Sequence, residues 1–288
     1  MKPTFNVPSF FKACQKDVSR ILLHLANPAS CDSIVPLAVG LAQYKQAHLR
    51  AMTIVDTTRL LRELAVEGSA AFAAYESERL AAGEALREEA RSNFSISALA
   101  ANLDFDLCRR QGDVASIIQM ESRFHDLLVT SALTEKATKP DEIGVPDISK
   151  IIRASHCPTL VLRDRPTNLE RVLLVHDGSK ACSRAIGSFR TQRLLTDATI
   201  RLLAVGDSQD SAKTLLSEQL DLLQVDPQTL EYGYLVGKPS KLIPEYARNW
   251  EADLVVYGVN DRGSLVENLL SQPGLSVLQR TSASLYSA

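Results

Sequence analysis

The sequence predicts an α/β protein built from two doubly wound parallel sheets, and three observations carry that expectation. Short strand-like runs alternate with segments of helical period along the whole chain. Those strand runs are apolar on both faces, as in a parallel sheet covered by helices on either side. Finally, three landmarks occur twice in the same order. Ile21–Leu25 pairs with Val172–His176, Gly112–Ile118 with Gly237–Ile243, and Asp126–Thr130 with Asp253–Tyr257.

The spacing of these landmarks shows where the copies differ. Ile21 lies 91 residues before Gly112, whereas Val172 lies 65 before Gly237, so the first copy carries about 26 extra residues. From glycine to aspartate the gaps are 14 and 16, nearly equal. This is a duplication with one insertion rather than a short-period solenoid.

In the second copy, strands are expected at 171–175, 200–205, 230–236, 254–257 and 284–287. Helices follow Ser179 and span 212–223, 239–250 and 265–278. The first copy reads likewise and ends in Thr159–Leu162. The expected organisation is an N-terminal extension at 1–17, a first domain at 18–163, a polar linker at 164–168 and a second domain at 169–288. The insertion falls at 57–93. There Leu61, Ala65, Phe72, Tyr75, Ala82 and Leu86 form an apolar stripe, while Glu84/Glu88 and Arg87/Arg91 are same-sign i,i+4 pairs. It reads as one long helix, or a hairpin broken near Gly68, packed on its own domain; an arm reaching a second subunit is the alternative.

Composition removes several classes of function. With 32 Lys and Arg against 34 Asp and Glu, the net charge is −2, so bulk charge attracts neither nucleic acid nor a membrane surface. No apolar run approaches the roughly 18 residues that span a bilayer, and the N-terminus lacks a signal-peptide pattern. The five cysteines have no paired spacing, which fits reduced thiols in the cytoplasm and offers no zinc site. Neither G-x-S-x-G nor the phosphate-binding G-x4-G-K-(S/T) is present. His24, His176, His125 and His156 stand in no triad-like context and read as structural or surface histidines.

Val172–Ala185 resembles the first strand and turn of the universal stress protein family, and Gly237–Gly258 is similar to its third helix and fourth strand. Gly112–Ile118, Asp126–Val129 and Ile151–Leu162 repeat the likeness, which covers most of 18–288. The resemblance implies two five-stranded sheets of order 3-2-1-4-5 forming an intrachain pseudo-dimer, with a homodimer as a further assembly. It also implies a ligand crevice beyond strands 1 and 4, where strand order reverses. In nucleotide-binding members an acid matching Asp177 contacts the nucleoside, and a G-x2-G-x9-G-(S/T) loop wraps the phosphates.

Carried onto this chain, the implied site consists of Asp177, Gly178, Ser179, Gly258, Arg262 and Gly263, with ATP or AMP as the ligand. The sequence departs from the pattern at Asp261, Ser271 and Gln272, and Asp261 sets a carboxylate where phosphate charge would lie. In the first copy Ala26 replaces the acid, and 131–140 contains no glycine. Asp177-Gly178-Ser179 also suits a tight turn and helix cap, and Gly258 suits close strand–helix packing. The expected function is a non-catalytic stress-response regulator with degraded nucleotide sites and an unknown protein partner. The alternatives are an adenine-nucleotide sensor using the C-terminal copy, or a weak ATP hydrolase of the adenine-nucleotide hydrolase-like superfamily.

Overall fold

The computed structural model describes residues 18–26, 31–56, 70–132, 145–163, 169–195, 197–223, 230–259 and 273–288. Expectations for 1–17, 57–69 and the linker at 164–168 lie outside the described residues. The rest forms two compact units, which share one plan.

In the first unit the order is β1 (Arg20–His24), α1 (Cys31–Lys45), β2 (His48–Val55), α2 (Ala70–Ala100), β3 (Phe105–Gln111), α3 (Val114–Ser122), β4 (Leu127–Ala132), α4 (Val145–Ala154) and β5 (Thr159–Arg163). The strands lie side by side as β3-β2-β1-β4-β5, all parallel. The second unit runs β6 (Arg171–His176), α5 (Lys180–Gln192), β7 (Thr199–Gly206), α6 (Gln209–Leu223), β8 (Glu231–Val236), α7 (Pro239–Asn249), β9 (Leu254–Val256), α8 (Pro273–Arg280) and β10 (Ser284–Ser287). Its strand order, β8-β7-β6-β9-β10, is again 3-2-1-4-5 and parallel. Both sheets are therefore doubly wound, as the sequence implied.

The central strands are apolar because helices cover both faces. Ile21, Leu22, Leu23, Val172, Leu173 and Leu174 are all fully buried. The outer strands depart from that rule: β3 and β8 alternate between exposed and half-buried positions. They lie at sheet ends, where helix cover runs out.

The duplicated landmarks now have physical meanings. Asp126 accepts hydrogen bonds from the backbone N–H groups of Ser19 (3.0 Å) and Arg20 (3.1 Å). Asp253 does the same for Glu170 (3.1 Å) and Arg171 (2.9 Å). Each carboxylate thus ties the start of its unit's fourth strand to the entry of the first. The paired glycines Gly112 and Gly237 sit at φ +136° and +133°, where L-residues are strained. Their N–H groups donate to Val55 (3.0 Å) and Gly206 (2.9 Å), which closes the turn into the third helix of each unit.

The described part of the insertion is helical and lies within a longer helix. Helix α2 continues past 93 to Ala100, and of the expected apolar stripe only Leu86 has a described side chain. Leu86 is 43% exposed, while Arg87, Ala90, Arg91, Phe94 and Ala98 are buried. The same-sign pairs do not oppose each other either. Arg91 collects both acids, pairing with Glu84 at 2.8 Å and with Glu88, and its Nη1 donates to Thr53 on β2 at 2.7 Å. Apolar counting does not reveal the face formed by Arg87 and Arg91, because these inward residues are guanidinium groups neutralised by neighbouring carboxylates.

Candidate functional site

The place predicted for a crevice in the second unit, where strand order reverses, falls beyond the carboxyl ends of the neighbouring strands β6 and β9. There β6 ends at His176 and Asp177 follows. Gly178 has φ +84°, and Ser179 opens α5 as its N-cap, its Oγ accepting from the Cys182 N–H at 3.2 Å. The Ser179 N–H in turn donates to Asp177 Oδ1 at 3.0 Å. This is the sequence-predicted turn and cap, and it brings Asp177, Gly178 and Ser179 together with Gly258.

Asp177 faces a partner that sequence reasoning did not single out. The Tyr257 hydroxyl donates to Asp177 Oδ2. Burial favours the neutral acid, but hydrogen bonds from Tyr257, Ser179 and Cys182 outweigh it and hold the carboxyl below its usual value. Tyr257 shifts the opposite way: burial, Cys182 and Asp177 raise its pKa far above that of an ordinary phenol. The pair is a carboxylate and a neutral phenol that donates to it. Cys182, buried beside the same carboxylate, is pushed up to about 12 and stays a thiol.

Gly258 is closed by main chain. A Cβ placed there would lie 2.0 Å from the Ala181 carbonyl carbon and 2.5 Å from the Cys182 nitrogen. Its missing side chain is where the first turn of α5 crosses the end of β9, so the space is already filled.

His176 is also engaged. Its Nδ1 accepts from the Gly178 N–H at 3.0 Å, so in the neutral ring the proton sits on Nε2. That Nε2–H points to Ser183 Oγ at 2.9 Å. Burial lowers the His176 pKa despite Asp177 and Glu218, so the neutral form persists near pH 7. In this tautomer the imidazole donates to Ser183 and cannot take its proton.

The strand registers align the two copies residue by residue. Leu23 pairs with Val129 as Leu174 pairs with Val256. Ala26 therefore matches Asp177, Thr130 matches Tyr257, and Ser131 matches Gly258. The first unit lacks both members of the acid–phenol pair. Thr130 instead shares a hydrogen bond with His24 Nδ1 at 3.2 Å, and burial lowers the His24 pKa to about 4. Comparing the copies at these two positions was the signal that could have revealed Tyr257.

Arg262 and Gly263, with Asp261, Ser271 and Gln272, lie outside the described residues. Among the described residues no group of three His, Cys, Asp or Glu side chains could hold a metal ion. None of the four described cysteines forms a disulfide, and among the described residues no helix is long and apolar enough to cross a membrane.

The two units thus define a tandem protein of the doubly wound α/β class with 3-2-1-4-5 sheets. No family model matches the chain. A curated relative, universal stress protein Slr1230 of Synechocystis, is 24% identical over 138 residues, which is 47% of this chain and 48% of that protein. The chain spans about half the length of the curated relative it matches. Among solved structures, a universal stress protein from Archaeoglobus fulgidus has a TM-score of 0.66 at 16% identity, over 93% of this chain and 94% of its own. A functionally unknown protein from Pseudomonas aeruginosa PAO1 has a TM-score of 0.59 at 17% identity, over 93% and 92%. The resemblance read from the sequence is borne out: the chain is similar in sequence to a universal stress protein and carries the fold of such proteins in each half.

Proposed function

We propose that this protein is a non-catalytic stress-response regulator whose C-terminal crevice is closed by its own side chains and main chain. One observation carries the reading. Asp177, the residue matched to nucleoside contact, is bonded inward to Tyr257 and Ser179, while α5 fills the space beside Gly258. The chemistry of the neighbours supports it too. The carboxylate is held at low pKa, the thiol at high pKa, and the imidazole in a donating tautomer, so none is poised as base or nucleophile near neutral pH.

Denaturing the purified full chain and separating the supernatant by chromatography tests this directly. Little or no adenine nucleotide is expected, together with no ATP hydrolysis above a buffer control. A stoichiometric nucleotide would overturn the closed-crevice reading in favour of a sensor. That second reading rests on Asp177 and Gly258, which only the C-terminal copy retains, together with Arg262 and Gly263. Its signature is ATP or AMP binding that Asp177→Ala abolishes and Asp261→Gly tightens.

The resemblance and composition supply the remaining parts of the proposal. They are residence in the cytoplasm, domains at 18–163 and 169–288, an unidentified protein partner, and pairing of the copies as an intrachain pseudo-dimer. Sedimentation of the full chain separates a single chain from a homodimer, and proteolysis within 164–168 releasing two stable fragments would support the boundaries.

A further inference from the structure

A second concave site lies in the same unit, on the helix α6 side of the outer strand β8, and it goes beyond the reading above. The groove is about 360 Å³, within the size range of small-molecule pockets. Leu216 and Leu220 of α6 form one wall, and Tyr232 and Tyr234 of β8 form the other. These tyrosines share a strand face because they are two residues apart. They are 49% and 37% exposed because β8 ends the sheet.

The polar groups are few and ordered. Gln209 Nε2 donates to the Tyr234 hydroxyl at 3.2 Å. The Lys213 ammonium stands 5.6 Å from the Tyr234 ring centroid. Lys213, Leu216 and Leu220 recur at i, i+3 and i+7, which places the cation on the apolar face rather than on its far side. Lys213 is the only formally charged side chain among the described residues lining the groove, and no carboxylate among them pairs with it.

From this we infer that the groove binds a small planar aromatic carboxylate, its ring against Tyr232 and Tyr234 and its anion at Lys213. Two aromatic faces and two leucines provide a slot for a flat apolar body. One unbalanced cation at the rim selects a negative substituent and disfavours a positive one. A strand from a second copy along β8 is the competing occupant, but main-chain pairing gives no role to the cation at Lys213.

Calorimetry on the full chain with 2-naphthoate and with 2-naphthalenemethanol tests the inference, since the two probes share a ring and differ in charge. Naphthoate is expected to bind about five-fold more tightly than the alcohol, the scale of a partly exposed ion pair. Lys213→Gln should erase that preference, and Tyr232→Ser, at an exposed position, should weaken both probes alike. Equal binding of the two probes, binding of neither, or indifference to Lys213→Gln would overturn the site. Self-association on sedimentation that Tyr232→Ser abolishes, without naphthoate binding, would assign the groove to a second copy instead.

Discussion

The hydroxyl of Tyr257 donates to the carboxylate of Asp177, and the first unit has neither residue, carrying Thr130 and Ala26 at the matching places. A phenol facing an alanine at the acid's place would lack this acceptor, and a buried carboxylate without the phenol would lose its strongest donor. The two residues therefore work as a unit.

Removing the phenol tests that dependence. Tyr257→Phe leaves the ring in place and deletes one charge-assisted hydrogen bond, which should cost about 1.5–3 kcal/mol at pH 7. Because the folded-state pKa of Asp177 is depressed, its contribution is present above the unfolded value and lost as pH falls through the folded one. The gap between wild type and variant in urea unfolding should therefore narrow in strong acid. An unchanged gap there would mean the bond does not depend on the charge of Asp177.

At Gly258 the expected effect is larger. A single methyl would collide with main chain of α5, which cannot rotate away as a side chain can. Gly258→Ala should destabilise the second unit by about 3 kcal/mol or more, at the upper end of overpacking effects. Thermal unfolding of the variant is the measurement, and wild-type behaviour would show that α5 is free to move.

Acid should weaken the first unit through His24. Its folded pKa is about 4 against an unfolded value of about 6.5. Between those values the unfolded chain binds the proton and the folded chain does not, so stability falls as pH drops from 6.5 towards 4. The loss is on the order of 3 kcal/mol when complete. Urea melts across that range should show a shallower decline for His24→Gln.

Trp250 offers a fourth test. The guanidinium groups of Arg171 and Arg201 each lie 4.7 Å from its ring centroid, and the ring is buried at the end of α7. Trp250→Leu removes both cation–π contacts and much of the packed volume, for a cost of about 3–5 kcal/mol. Trp250→Phe should recover part of it, and recovery of none would rule out a cation–π share.

The fold was legible because its signals are local and repeated. Asp126 and Asp253, or Gly112 and Gly237, are single residues doing one backbone job in each copy, so duplication exposed them. The candidate site was only half legible. Asp177, Gly178 and Ser179 are contiguous and read as a turn, but Tyr257 is 80 residues away and meets Asp177 only because β6 and β9 are neighbours. The inward face of α2 was illegible for another reason. Glu84 and Glu88 flank Arg91 on the same helix, but Arg87 and Arg91 look like solvent residues until packing sets Arg91 against Thr53 of β2.

The contact at Gly258 has a mechanical side. Main chain meets main chain there, so no side-chain rotation can open a gap between the end of β9 and the first turn of α5. A molecule wedged between Asp177 and Gly258 would have to push the whole α5 rod, along with the residues packed beneath it. Entry at that point would be felt at Gln192, the far end of this 13-residue rod, whose side chain holds the Tyr286 hydroxyl on β10. The crevice is coupled to its sheet like a lever to its bearing.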